Sequence, residues 1–351
     1  VILDAARIAE GGTGRNSGFM IDLPHDLTSS DYAGAGEGHD RQLTRLNRHA
    51  IDFAAAAVAE YAIPPGYFQR AGKINAAASD AGLAANRSYA AHLQHLAEPH
   101  ELLDARAMRE ITGSAYYRGG LFTPGTAMLQ PAGYVQGLAA GLERAGLRIH
   151  ENAPVLRIES AAQGWLLTTA QGSLRAQRVI MANNGHLESF GFKRGRLMHI
   201  MLNACMTEEL PADAIRALGG HDCWGATPAD PMGTTVRRIG PAQGGNRIVI
   251  RQGGYYRPDM QTSAADLARV NREIADMEAD AQKKHKAART AALTPVTKAR
   301  EAVQFSALLL NGSIAPALTE AFTAAENALA GMRQQMAAVE SGTMMRRRMP
   351  Q

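Results

Sequence analysis

The sequence has 351 residues, of which 46% are hydrophobic and 20% are charged, and its formal net charge is +4. These values are ordinary for a globular protein, and the chain is long enough for two medium domains or one domain with an insertion. The small charge, clustered only in the terminal MMRRRMPQ, argues against a nucleic-acid-binding protein.

The chain opens with an apolar strand, Val1-Ile2-Leu3, that ends at Asp4. An apolar strand ending in a carboxylate is typical of the second strand of a nucleotide-binding βαβ unit, where the carboxylate accepts hydrogen bonds from ribose hydroxyls. The sequence contains no G-x-G-x-x-G motif to hold a pyrophosphate. We therefore expect the first strand and its glycine-rich turn to lie upstream, in a chain truncated at its N-terminus.

The next feature is the run GGTGRNSGF at residues 11–19, which places one guanidinium and one amide among small residues. We call residues 11–18 the glycine loop. In isolation such a run is typical of a solvated turn, but its position just behind VILDA favours a binding role. Small residues would let backbone donors approach a ligand closely.

Helical patterns dominate residues 40–146. The first helix is predicted over 40–63, with an apolar face at Leu43, Leu46, Ala50, Ala54 and Val58. After one or two strands in FQRAGKINAAAS, we expect Ser79-Asp80 to cap a second helix and Asp104 a third. Pro131 fits the first turn of a fourth helix, and Gly146 fits its end.

Four strands are predicted next, in the segments LRIH, PVLRIES, GWLLTTA and RVIMANNG. A helix that feeds a strand, a hairpin and an apolar return strand indicates an α/β pattern with an antiparallel insert. The last strand ends in two asparagines and a glycine, and ligands bind at such carboxyl ends.

A second group of strands is predicted in LMHIMLNACMTEEL, GTTVRRIG and NRIVIRQGGYYR. Their alternation of apolar and polar residues indicates an antiparallel sheet with one covered face, the floor of a substrate domain. From about Gln261 the composition changes to Ala, Glu, Lys, Arg and Gln, which predicts a tail that is helical or partly disordered.

Together, VILDAARIAEGGTGRNSGF, GLFTPGTAMLQPAGYVQGLAAGLERAGLRIHENAPVLRIES, GWLLTTAQGSLRAQ and RVIMANNGH resemble the FAD-dependent D-amino-acid-oxidase-like family. Within it, GRNSGF is most similar to the amine and amino-acid oxidoreductases that include gamma-glutamylputrescine oxidase. The resemblance covers roughly residues 1–272. It implies a mixed α/β fold with an incomplete Rossmann-like FAD-binding domain, an antiparallel-sheet substrate domain and a helical C-terminal tail. The aromatic strand and the glycine-rich segment with which the family closes over the flavin are not found in this tail.

The resemblance implies domains at residues 1–40 and 131–195 for FAD and at 41–130 and 196–260 for substrate, with the tail at 261–351. It also implies roles for single residues. The cofactor-binding positions are Asp4, Arg7, Gly14, Arg15, Asn16, Ser17, Gly18, Val155, Ala182 and Asn183. The candidate substrate-binding positions are His25, Arg251, Tyr255 and Tyr256. Each has a plainer interpretation: Asp4 could simply cap a turn, and His25 could be a surface histidine.

The function implied by the resemblance is oxidation of a C–N bond in an amine or amino acid, with FAD as hydride acceptor. The alternative is a catalytically inert flavoprotein remnant or a binding module with a helical interaction tail. The sequence does not separate an oxidase from a dehydrogenase, and it leaves the catalytic residues, the exact substrate and the oligomeric state open.

Cys205 and Cys223 are the only cysteines and have no metal-binding spacing, which fits a reducing compartment and predicts no metal site. No apolar run approaches the roughly 18 residues of a membrane span, and no leader precedes the first strand. We therefore expect a cytoplasmic protein with a small-molecule partner and neither a membrane nor a nucleic-acid partner.

Overall fold

The computed structural model describes residues 1–24, 37–229, 233–258 and 260, together with short stretches between 263 and 283. Residues Val1–Met260 belong to one compact unit, and a second unit begins at Gln261. Of the predicted tail, residues 264–266 and 268–272 have helical backbone, and most of the rest lies outside the described residues.

Local capping sets where several helices of the first unit begin. The Ser79 hydroxyl accepts a hydrogen bond from the Gly82 amide at 3.0 Å, and the Asp104 carboxylate accepts one from Ala107 at 2.8 Å. These caps confirm the predictions, and Pro131 occupies the first helical turn as expected. The helices are α1 (Glu37–Glu60), α2 (Asp80–His95), α3 (Ala105–Thr112), α4 (Pro131–Arg144) and α5 (Ala212–Leu218).

The buried face of α1 differs from the predicted one. Leu46 is 53% exposed, whereas Asp40, Thr44 and Ile51 are buried. The reason is a polar contact that hydrophobic periodicity does not reveal, because the Asp40 carboxylate meets His92 Nε2 of α2 at 2.8 Å. This pair buries the polar start of the helix, whereas Ala54 of the predicted face is buried as expected.

The strands form four separate sheets. In chain order they are β1 (Ile2–Leu3), β2 (Phe19–Met20), β3 (Phe68–Gln69), β4 (Lys73–Ala77), β5 (Glu101–Asp104), β6 (Gly119–Thr123), β7 (Ala127–Leu129), β8 (Ile149–His150), β9 (Arg157–Ala161), β10 (Gly164–Thr169), β11 (Gly172–Ala176), β12 (Ile200–Met206), β13 (Trp224–Pro228), β14 (Thr235–Ile239) and β15 (Arg247–Tyr256).

The largest sheet has seven strands in the order β12-β15-β14-β13-β4-β6-β5. The predicted antiparallel arrangement of β12, β15 and β14 is confirmed, and only the β13–β4 pair is parallel. One side of this central sheet is apolar, with Ile74, Ala76 and Ala226 packed against Met108 of α3 and Trp224.

Three smaller sheets accompany the central one. β1 pairs in parallel with β8, and β9, β10 and β11 form an antiparallel hairpin sheet. The third sheet, β2-β7-β3, follows directly after the glycine loop. The mixed α/β architecture predicted from the sequence is therefore present.

The strand predicted in RVIMANNG does not form, and this prediction is wrong. Residues 177–183 have no strand conformation, and Ile180 is 92% exposed. No strand of the described chain runs beside this segment to accept its backbone hydrogen bonds, so its apolar pattern alone cannot produce a strand. Among the described helices, none is both long and apolar enough to cross a membrane.

Candidate functional site

The turn after β1 is built around Asp4. The Asp4 amide donates to the His150 carbonyl at 2.9 Å, and its own carbonyl accepts from Ala153 at 2.8 Å. One carboxylate oxygen, Oδ1, accepts from the Ala6 amide at 3.0 Å. This arrangement places Asp4 beside the segment that leads to Val155, so two of the predicted cofactor positions are close together.

The glycine loop is held in shape by its own asparagine. Asn16 Nδ2 donates to the carbonyls of Gly12 and Thr13 at 3.2 and 2.7 Å, and Asn16 Oδ1 accepts from the Gly18 amide at 2.8 Å. A Cβ at Gly14 would lie 1.9 Å from the Ala9 carbonyl oxygen, so this position needs glycine. The amide singled out in the sequence thus stabilises the loop from within.

The outer side of the loop is open. A Cβ added at Gly11 or Gly12 would meet no atom within 4 Å. Arg15 is exposed, and its guanidinium has no hydrogen bond or ion pair with any described residue. The loop therefore presents backbone and one cation to a ligand.

A buried arginine of the central sheet anchors the end of the loop. Arg237 of β14 is 1% exposed, and its Nη1 donates to the carbonyls of Ser17 at 2.9 Å and of Leu129. Its Nη2 donates to Gln243 Oε1. Burial lowers the pKa of Arg237 to about 10. The sequence analysis missed this residue, since Val-Arg-Arg in a strand gives no sign that its arginines are buried or which of them faces the glycine loop.

Strand register shows that Arg237 shares its side of the sheet with other polar groups. Asn75 lies opposite Thr227, and Thr235 lies opposite Arg251. Because side chains alternate along a strand, Lys73 lies on the same side of the sheet as Asn75, and Arg237 on the same side as Thr235. We call these six residues the polar row. The side that carries it faces the glycine loop, because Arg237 reaches Ser17 from it.

Lys73 is a second deeply buried cation of the polar row. It is 2% exposed, and its Nζ contacts Asn75 Oδ1 and lies 3.4 Å from Thr227 Oγ1. Burial lowers the pKa of Lys73 to about 8, although the charge of Asp22 opposes the shift. Asp22 itself is fully buried and paired with Arg48 at 3.0 Å. Two buried charges of opposite sign, Lys73 and Asp22, therefore act on one another beside the polar row.

A bulge in β15 decides which predicted substrate residues share the polar row. Gln252 pairs with Asn203 but Tyr255 pairs with Met201, so β15 contains one extra residue there. Arg251 and Tyr256, opposite Ala204 and Ile200, consequently share one side of the sheet. Tyr255 lies on the other side.

The other predicted positions are dispersed. The buried Oδ1 of Asn183 has no hydrogen-bond partner among the described residues, and no described hydrogen bond joins Ala182 or Asn183 to the glycine loop. Arg7 lines an open cleft of about 540 Å³ together with Gln136, Glu143 and Glu151. His25 lies outside the described residues.

Comparison with protein families gives a match over residues 1–305 to the family model described as FAD dependent oxidoreductase (DAO). Among curated proteins, a probable oxidoreductase OrdL of Haemophilus influenzae is 25% identical over 192 residues, covering 54% of this chain and 44% of that protein. Gamma-glutamylputrescine oxidoreductase of Escherichia coli is 27% identical over 191 residues, covering 53% and 43%. The chain thus spans less than half the length of these relatives.

Solved structures share the fold. Glycine oxidase from Geobacillus kaustophilus superposes with a TM-score of 0.58 at 17% identity, covering 76% of this chain and 68% of that one. The amino acid oxidase NikD superposes with a TM-score of 0.54 at 15% identity, covering 77% and 68%.

Proposed function

The chain belongs to the family of FAD-dependent oxidoreductases, and we propose that it binds FAD and oxidises the C–N bond of an amine or amino acid. The observation that carries this proposal is the contact of Arg237 with the Ser17 carbonyl at 2.9 Å. It sets the predicted cofactor loop directly against the polar side of the sheet predicted to hold substrate. The names of relatives, glycine oxidase and gamma-glutamylputrescine oxidoreductase, support this substrate class.

The residues present fit such a cofactor. The outer side of the glycine loop has open space at Gly11 and Gly12, and Arg15, which has no partner among the described residues, supplies a cation for a diphosphate. The partnerless buried Oδ1 of Asn183 is an acceptor suited to a ligand hydroxyl. We assign FAD to residues 1–40 and 131–195, with Asp4, Arg7, Val155 and Ala182 as further contacts.

The polar row supplies the substrate side, in residues 41–130 and 196–260. Arg251 is half-buried and donates through Nη2 to Thr235 Oγ1 at 2.6 Å, which leaves other guanidinium protons for a carboxylate. Tyr256 lies on the same side of the sheet, so we assign it with Arg251 and His25 to substrate. Tyr255 remains a predicted substrate residue only if the substrate reaches the opposite side.

The chemistry needs little from the protein beyond placement. A bound FAD would supply the acceptor for the hydride that leaves the carbon bearing the amine; the nitrogen would lose a proton, and water would hydrolyse the resulting imine to a carbonyl and ammonia or a smaller amine. The chain must hold the amine neutral and orient its C–H bond, so no nucleophilic triad is required. The buried cations of the polar row favour the unprotonated amine, because they raise the cost of a second positive charge nearby.

The test is spectroscopic. The purified chain, mixed with FAD and gel-filtered, is expected to retain a visible flavin spectrum that bleaches when primary amines or amino acids are added without oxygen. Oxygen consumption then separates an oxidase from a dehydrogenase. A colourless protein, or a flavin spectrum that no amine or amino acid bleaches, would contradict the proposal and support the inert binding module.

A further inference from the structure

We propose that Arg237 is a positioning residue that fixes the glycine loop against the central sheet, so that loop geometry and FAD affinity depend on it. This inference rests on the proposed role of the loop in binding FAD. It concerns a residue that touches the loop backbone and acts through it.

Arg237 is an unusual choice for a purely structural position. Its guanidinium is buried, yet among the described residues it has no carboxylate partner. Its acceptors are the carbonyls of Ser17, Gly18 and Leu129 and the amide of Gln243, and its buried Nε has no partner. Burying a cation without an anion is costly, and an apolar side chain would fill the same space at lower cost. What the arginine adds is a rigid fork that holds several backbone carbonyls at once.

These carbonyls belong to two segments that meet at the loop. Ser17 and Gly18 end the glycine loop, and Leu129 ends β7 just before α4. The Leu129 amide also donates to the Gly18 carbonyl at 2.7 Å. Arg237 therefore fastens the exit of the loop to the start of α4 and to β14, and Asn16 transmits that position to Gly12 and Thr13.

The neighbouring residue supplies a matched control. Arg238 is equally buried at 1% exposed but lies on the opposite side of β14, where it donates to the Gly219 carbonyl and lies 3.6 Å from the Asp222 carboxylate. No hydrogen bond or ion pair of the described residues joins it to the glycine loop. Substitution of Arg238 thus reports the general cost of losing a buried arginine from this strand.

The experiment compares the full chain with Arg237→Lys, Arg237→Met and Arg238→Met by amide hydrogen exchange over residues 11–18 and by FAD titration. We expect Arg237→Met to speed exchange in the loop and weaken FAD binding, each about tenfold, which matches the loss of one charged hydrogen bond. For Arg237→Lys we expect an exchange rate and an FAD affinity between those of the wild type and Arg237→Met. For Arg238→Met both quantities should stay close to wild type.

Two results overturn the inference: wild-type exchange of residues 11–18 in both Arg237 variants, or an equal increase in Arg238→Met. If the wild-type chain binds no FAD, the proposed function fails, but the exchange data still decide the role of Arg237. If FAD binds to the wild type but the exchange of residues 11–18 is the same in the wild type and the Arg237 variants, only the inference about Arg237 fails.

Discussion

Gly18 and Arg237 are in such close contact that a Cβ at Gly18 would lie 2.2 Å from Arg237 Nη1 and 2.3 Å from the Leu129 carbonyl oxygen. The backbone of Gly18 also has a φ of 76°, which side chains disfavour. The glycine at the end of GRNSG is thus explained by a residue more than 200 positions away.

Gly18→Ala is therefore expected to destabilise the first unit by about 2 kcal/mol or more, because the new Cβ would overlap the Leu129 carbonyl and the Arg237 guanidinium at a backbone φ that alanine disfavours. Urea unfolding measures this change. Gly12→Ala, in the same loop but with open space around it, is the control and should change stability by less than about 0.5 kcal/mol. Equal effects of the two substitutions would contradict the described packing.

Arg15→Ala is expected to weaken FAD binding while leaving the free energy of unfolding nearly unchanged, since Arg15 is exposed and has no described partner. The loss should shrink as salt is added, because an exposed charge is screened. Flavin fluorescence titration measures it, with Arg87→Ala on the exposed side of α2 as control. Unchanged affinity in Arg15→Ala would count against the loop assignment.

The ion pair of Asp22 should matter far more than an exposed pair. Arg48→Met leaves the fully buried Asp22 carboxylate without its cation, which is expected to cost about 3 kcal/mol of stability. Arg70→Met removes the partner of Asp52, where both side chains are more than half exposed, and should cost less than about 1 kcal/mol. Chemical unfolding of both variants tests the contrast, and similar losses would refute it.

Lys73 should impose a pH dependence on stability. Its pKa is about 8 in the folded protein and 10.5 for an ordinary lysine. Below pH 8 the amine is therefore charged in both the folded and the unfolded state, and the folded protein bears the full cost of burying that charge. Between about pH 8 and 10.5 the unfolded chain binds more protons, so stability rises with pH. Relative to Lys73→Met, the wild type should gain on the order of 2 kcal/mol from pH 7 to pH 10.

Chemical unfolding of both proteins at the two pH values provides this measurement. Lys193→Met removes an exposed lysine and serves as the control. The difference in stability between this variant and the wild type should be about the same at both pH values. A difference between wild type and Lys73→Met that stays constant with pH would show that Lys73 is not a buried cation. Asp22, Asn75 and Thr227 surround this amine, so they set the size of the effect.

The bulge in β15 leads to a prediction about substrate binding. Arg251→Met is expected to raise the KM for an amino acid at least about tenfold, since a charged hydrogen bond to the carboxylate is lost. Tyr256→Phe should also raise KM, whereas Tyr255→Phe should leave it near wild type because Tyr255 lies on the other side of the sheet. Steady-state kinetics decide this, and the reverse order for the two tyrosines would reject the assignment.

Features set by local chemistry could be predicted from the sequence. The caps at Ser79 and Asp104 and the proline at 131 depend on contacts within one turn, so the sequence alone identifies them. The antiparallel arrangement of β12, β14 and β15 followed from their alternation. The glycine loop stood out because its composition is unusual.

Features set by distant partners could not be predicted. The segment 177–183 has the apolar pattern of a strand, but no strand in the described part of the chain pairs with it. The burial of Asp40 on α1 depends on its contact with His92. The side of the sheet on which Tyr256 lies depends on the bulge in β15. The burial of Lys73 and Arg237 depends on the order of the strands in the sheet. A two-residue period gives two equivalent sides, and only tertiary structure determines which one is covered.

The central claim is that the glycine loop lies against FAD, and hydrogen exchange of the full chain with and without added FAD tests it most directly. We predict slower exchange of the amides in residues 11–18 once FAD binds. Tight binding of FAD with no change in the exchange of residues 11–18 would contradict the claim.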